Sequence, residues 1–132
     1  MAQRAREAAH QDPVSAQSLI RLAGTIDTID ARVLAEARRS GDTFAGKVID
    51  ETSQYLAAGI TGIVNAFNPC LLILGGGIIN GFPEFISRIE AHVHKHSLVA
   101  AVAPLKIVTA ALGDSAGVVG AAAFARHVIE GN

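Results

Sequence analysis

Apolar residues along this chain recur first at helical intervals and then, in two places, in short unbroken runs. Residues 2–10 mix alanine with Arg and Glu, a helix-forming combination, and Pro13 interrupts it. A short helix is expected from Ser15 to Leu22, ended by Gly24. Asp30 is placed to cap another, from Ala31 to Ser40, with Gly41 as its stop. The longest helical signal starts at Phe44. Val48, Tyr55, Ile60, Ile63, Val64 and Phe67, with Thr52 and Leu56 near the same stripe, fall mostly at helical spacings and are expected to be its buried face. Asn68-Pro69 ends this helix, because the residue before proline avoids the α region. Gly59 and Gly62 lie inside it, each costing about 1 kcal/mol relative to alanine. That cost suggests a neighbouring backbone that needs the space.

The unbroken runs read as strands. Cys70 to Leu74 (CLLIL) does not alternate, which fits a strand covered on both faces, with Cys70 an inert thiol at its buried start. Three glycines, Gly75, Gly76 and Gly77, follow at once. Pro83 then opens a helix from Glu84 to His96, with Phe85, Ile86, Ile89 and Val93 facing inward. Leu105 to Thr109 is a second strand, Gly113 to Gly117 a turn, and Val118 to Ile129 a final alanine-rich helix. Helices, strand, glycine turn, helix, strand, glycine turn, helix is an α/β order. It implies a short parallel pair joined by a right-handed crossover.

Composition narrows the class. A chain of 132 residues suits one domain, and 50% apolar with 17% charged residues excludes global disorder. The net charge of −1 argues against a nucleic-acid face carried by bulk charge. No apolar run is long enough to span a membrane, and the N-terminus has no apolar signal core. One cysteine excludes an internal disulfide and fits a reducing compartment, so a cytoplasmic protein is expected. Alanine (24 residues) and glycine (13) dominate the apolar share while Trp is absent, which favours close approach of backbones.

Candidate chemistry centres on the glycines. Gly75, Gly76 and Gly77 stand at the carboxyl end of a strand, where open α/β sheets bind ligands, and a ligand can lie directly on a main chain without Cβ atoms. The alternative is a tight strand exit. The run is neither a G-x-G-x-x-G nor a P-loop sequence. The second turn, ALGDSAG, could face an anion with its free N–H groups, or Asp114 or Ser115 could simply cap the last helix. Gly117 and Gly120 suggest close helix packing there. Of His92, His94 and His96 only the first and last share a helix face, and no third ligand is suitably spaced, so a solvated helix end is expected rather than a metal site. No catalytic residue is assigned by spacing.

Taken together, ITGIVNAFNPCLLILGGGI and LKIVTAALGDSAGVVGAAAFA resemble the C-terminal part of the ROK family of repressors, open reading frames and sugar kinases. Residues 2–9 and the stretch ARVLAEARRSGDTFAGKVIDETSQYLA extend the resemblance over nearly the whole chain. The resemblance implies part of an actin-like, hexokinase-like ATPase lobe, a short parallel sheet with packed helices. Residues 1–42 would be a helical lead-in and 43–132 the nucleotide-side α/β core. It implies ATP or ADP with Mg²⁺ as cofactor, Gly75, Gly76 and Gly77 against the nucleotide, and a hexose substrate only where the N-terminal lobe is supplied. It also implies a homodimer or a partner chain, with no nucleic acid or membrane bound by this segment. The family's phosphate loop, catalytic Asp, Glu-x-Gly-His segment and cysteine-rich zinc loop have no counterpart in these residues, as though the chain starts just after the zinc loop. The resemblance therefore implies glucokinase-like hexose phosphorylation for the complete protein and no catalysis by this chain alone. The sugar-sensing half of a repressor and a non-enzymatic assembly module are the alternatives.

Overall fold

A computed structural model describes residues 1–131, apart from the side chain of Asp114. Four helices come first: α1 (Ala2–Gln11), α2 (Gln17–Ala23), α3 (Ala31–Arg39) and the long α4 (Thr43–Phe67). Their limits follow local chemistry. The side chain of Asp30 accepts a hydrogen bond from the Val33 N–H, and that of Asp42 from the Ala45 N–H, each at 2.8 Å, so both helices start on an acidic cap. Gly24 closes α2 at φ 89°, and Asn68 closes α4 in the left-handed region at φ 46°. Strand β1 (Leu71–Leu74) follows, then α5 (Gly77–Gly81), α6 (Glu84–His96), α7 (Val99–Val102) and β2 (Lys106–Thr109). A 3-10 turn (Gly113–Ser115) leads into α8 (Ala116–Glu130).

The hydrophobic core sits between α4 and α6, with α1, α2 and α3 wrapped around the first half of α4. Phe85, Ile89 and Val93 of α6 are wholly buried, as are Ile49 and Val64 of α4, Leu34 of α3 and Leu19 of α2. Phe82 stacks on Phe85 with ring centroids 5.3 Å apart. Asp50 on α4 ties three helices together, meeting Arg88 of α6 at 2.5 Å and Arg38 of α3 at 3.6 Å. These groups are half exposed, so the bridge orients the helices more than it stabilises them. The two strands pair in parallel, Leu71 beside Lys106 through Leu74 beside Thr109, as the α/β order requires.

Three expectations are corrected. First, the stripe proposed for α4 is rotated. Val48, Ile60 and Val64 are buried, but Tyr55 (68% exposed), Ile63 and Phe67 (77%) face outward. The buried row runs instead through Ala45, Ile49, Ser53, Ala57 and Thr61, because small side chains let α6 approach. Gly59 and Gly62 lie on the outward side, where an added Cβ would meet nothing within 4 Å. They therefore accommodate no neighbour within this fold. Second, β1 is not covered on both faces. Leu72 and Leu74 turn toward the core, while Leu71 and Ile73 are 51% and 59% exposed and Cys70 is exposed just before the strand. An unbroken apolar run says that both faces resist water; it does not say that this chain supplies both covers. Third, α8 has no buried residue, and Gly117 and Gly120 have no close neighbour. Every residue of the alanine-rich helix is exposed. The cap expected from Asp114 lies outside the described residues. Ser115 occupies the N-cap position of α8 without a side-chain hydrogen bond to the helix.

Candidate nucleotide groove

The glycine run resolves into three different duties. A Cβ on Gly75 would come within 2.9 Å of the Ala110 Cβ, so this residue is small because the ends of β1 and β2 converge. Gly76 adopts φ 96° and ψ 169°, a conformation essentially reserved for glycine. It turns the chain from the strand directly into α5, a short helix where a glycine turn was expected. Gly77, by contrast, has open space where its side chain would be. That space is a groove of about 770 Å³ between α3 and α5, a volume usual for a small-molecule site. Of the three glycines, only Gly77 lines it.

One wall of the groove is Gly77, Ile78, Asn80 and Gly81, continued by Phe82 and Pro83; the other is Ala31, Arg32, Ala35 and Arg39 of α3. Its position follows from packing. Ile79 and Phe82 are buried and anchor α5 and its exit to the core, which leaves Ile78 turned into the groove. On α3, Leu34 and Ala37 are buried, so the opposite face carries Ala31, Arg32, Ala35 and Arg39 into the opening. The second glycine turn comes to the same place, because a Cβ on Gly113 would lie 4.0 Å from the Asn80 Nδ2. Both strand exits thus converge on α5, at the carboxyl end of the parallel pair.

The groove is electrostatically one-sided. Among the described residues its lining holds two guanidinium groups and no carboxylate, and its remaining surface is largely apolar. Among the described residues neither Arg32 nor Arg39 is ion-paired, whereas Arg4, Arg38, Arg88 and Arg126 all are. An apolar slot flanked by unpaired cations suits a flat ring carrying negative charge. Sequence reading located the glycines but missed the α3 wall. The signal was present, since Ala31, Arg32, Ala35 and Arg39 share a helical face, but nothing in the spacing says that this face meets the glycine turn.

A smaller polar hollow of about 290 Å³ lies between α4 and α6, lined by Asp50, Ser53, Gln54, Ala57, Arg88 and His92. Its arginine is already engaged by Asp50. His92 stacks on His96 with centroids 4.1 Å apart, and the His96 Nδ1 lies 2.9 Å from the His92 carbonyl. Among the described residues no group of three or more His, Cys, Asp or Glu side chains could hold a metal ion. No described helix is long and apolar enough to cross a membrane.

Comparison with known proteins gives a consistent result. The model of the ROK family matches residues 2–128. A glucokinase of Thermotoga maritima is 32% identical over 111 residues, covering 84% of this chain and 35% of that protein. A kanosamine kinase of Amycolatopsis mediterranei is 31% identical over 98 residues, covering 74% of this chain and 32% of that protein. Among solved structures, a ROK family glucokinase from Streptomyces griseus, in complex with glucose and AMPPNP, superposes with a TM-score of 0.78 at 30% identity. That match covers 96% of this chain and 41% of the other. The chain therefore spans less than half the length of the relatives it matches.

Proposed function

This chain belongs to the ROK family, and we propose that it is the nucleotide-binding, C-terminal portion of an ATP-dependent sugar kinase. The observation that carries the reading is the α3–α5 groove: an apolar slot with two arginines that are not ion-paired among the described residues, opening beside Gly77 at the strand exits. The Streptomyces griseus glucokinase, which has this chain's fold, is in complex with the ATP analogue AMPPNP, and glucokinases recur among the relatives. These names favour a kinase over a sugar-sensing repressor. ATP or ADP is the proposed cofactor, with glucose or a related hexose as the sugar of the complete enzyme. When bound, the nucleotide supplies the phosphoryl group for transfer. Magnesium would arrive with its phosphates, whose oxygens are ligands that ion takes readily.

The role of this chain's own residues is binding. Gly76 sets the strand exit, Gly77 keeps the outer end of the groove open, Gly81 leaves room for the base, Phe82 and Pro83 keep water from it, and the arginines supply positive charge. Phosphoryl transfer further needs a base that orients the sugar hydroxyl and a cradle for the transferred phosphate. No residue here is assigned either task, so the chain alone binds without catalysing. Titration calorimetry with ADP tests the binding. No heat from a chain that is folded by circular dichroism would sink it. A coupled glucose phosphorylation assay above background would overturn the claim that this portion does not catalyse by itself.

A second role rests on the uncovered apolar faces. The outward side of α4, with Tyr55, Gly59, Gly62, Ile63 and Phe67, fits a second copy of the chain, since two glycines without neighbours admit another helix closely. Light scattering across a concentration series tests this dimer, and a Gly59→Leu variant should remain monomeric where the native chain associates.

A further inference from the structure

Arg32 and Arg39 have little to do within the fold. Among the described residues the guanidinium of Arg32 makes no ion pair or hydrogen bond, although the residue stands on the helical wall of the groove. Arg39 donates from Nε to the Ala35 carbonyl of its own helix at 3.2 Å, which lays its guanidinium along α3 and leaves both terminal nitrogens free. Their order along the groove is fixed by a second, smaller hollow. That hollow brings Ala35, Arg38 and Arg39 against Gly81, Phe82, Pro83 and Glu84. So α3 runs along α5 in the same direction, with Arg39 at the Phe82–Pro83 end and Arg32 at the Gly77 end. Two helical turns, roughly 10 Å of axis, separate them.

The two ends differ in chemistry. Phe82 and Pro83 give the inner end of the groove an apolar lining, with Ala35 and Gly81 small between the helices, and Arg38 and Glu84 stand just beyond it. The Gly77 end stands at the exit of β1, where Gly77 leaves open space, and the second turn reaches α5 through Gly113 beside Asn80. Resting on the nucleotide reading above, we propose that the arginines divide a purine nucleotide between them. Arg39 lies against the base at the inner end, and Arg32 pairs with the ribose-proximal phosphates at the outer end. A planar guanidinium suits both tasks, since it stacks on aromatic faces and forks onto phosphate oxygens. A lysine could replace Arg32 as a charge but not Arg39 as a plane.

The test titrates ADP and adenosine, by displacement of a fluorescent N-methylanthraniloyl-ADP, against the native chain and the variants Arg32→Ala, Arg32→Lys, Arg39→Ala and Arg39→Lys. Both side chains stand on the outer face of α3, and circular dichroism checks that each variant is folded. Arg32→Ala should weaken ADP by roughly tenfold or more and leave adenosine unchanged, as loss of a charge-assisted hydrogen bond requires. Arg32→Lys should recover part of the ADP affinity and its salt dependence. Arg39→Ala should weaken ADP and adenosine alike, by roughly three- to tenfold, and Arg39→Lys should not rescue it. If the native chain binds the probe and the alanine variants match it, this inference falls while the nucleotide groove stands. An adenosine loss in Arg32→Ala, or an ADP-only loss in Arg39→Ala, overturns the division of labour. A native chain that binds neither the probe nor ADP overturns the nucleotide reading itself.

Discussion

The α4–α6 side of this protein and the β1–β2–α8 side are both rich in apolar residues, and the first is buried while most of the second is exposed. Phe85, Ile89, Val93 and Val64 are sealed from water, whereas Leu71, Ile73, Val118, Phe124 and Ile129 are exposed. Burial of a large side chain contributes about 1.5–3 kcal/mol, so the first side carries most of the fold's hydrophobic stabilisation and the second adds a smaller share through Leu72, Leu74 and Ile107. An apolar surface that the fold leaves wet is a surface shaped for something outside it.

The largest expected effect breaks the first side. Phe85→Ala should cost about 3–5 kcal/mol in urea unfolding, through lost burial and the cavity left behind. Phe124→Ala on α8 should change stability by less than about 0.5 kcal/mol, since its side chain is exposed. Comparable losses in the two variants would refute the contrast. Gly76→Ala sits at the boundary between the sides and should cost about 1–3 kcal/mol, because its backbone conformation excludes a Cβ. Removal of a helix cap should come next: Asp42→Ala frees the Ala45 N–H at the start of α4 and should cost about 1 kcal/mol.

Smaller effects run the other way. Gly59→Ala and Gly62→Ala should each stabilise the isolated chain by up to about 1 kcal/mol, as nothing opposes a new methyl group on that face of α4. Thermal unfolding at low protein concentration reads this, and a destabilised variant would mean that the face is covered even there. The smallest effect is electrostatic. Hydrogen bonds from the Ser15 hydroxyl and backbone N–H hold the Asp12 carboxyl below its ordinary pKa of 3.8. A lowered native pKa favours the folded state above the ordinary value and loses that advantage as pH falls through the lowered one. Asp12→Asn should therefore remove a small advantage that the native chain holds at neutral pH and flatten the acid limb below about pH 4, the two stability profiles converging as pH falls, as acid titration by circular dichroism would show.

Much of the architecture could be read from the chain. Asp30, Asp42, Gly24 and the Asn68-Pro69 pair punctuate the helices where the backbone requires it, and the two apolar runs are the two strands. Such signals are local, because caps, left-handed turns and strand runs depend on neighbours a few residues away. The short helices α5 and α7 were not legible, since five and four residues carry too little periodicity to stand out from a turn. The rotation of α4 was not legible either. Small residues can mark either a close packing face or an open one, and the larger Tyr55 and Phe67 drew the stripe to the wrong side.

What the sequence determined by itself is the order of elements, the glycine run and the family resemblance, because each is written in residue types at short range. Which glycine does what was decided only by the tertiary structure. Gly75 answers to Ala110, thirty-five positions away, Gly76 to its own dihedral angles, and Gly77 to the α3 wall, which arrives from far earlier in the chain. The arginines of the groove and the bare face of α4 were settled the same way. Contact between distant segments is fixed by how the core packs, and no spacing along one segment records what another will bring to it.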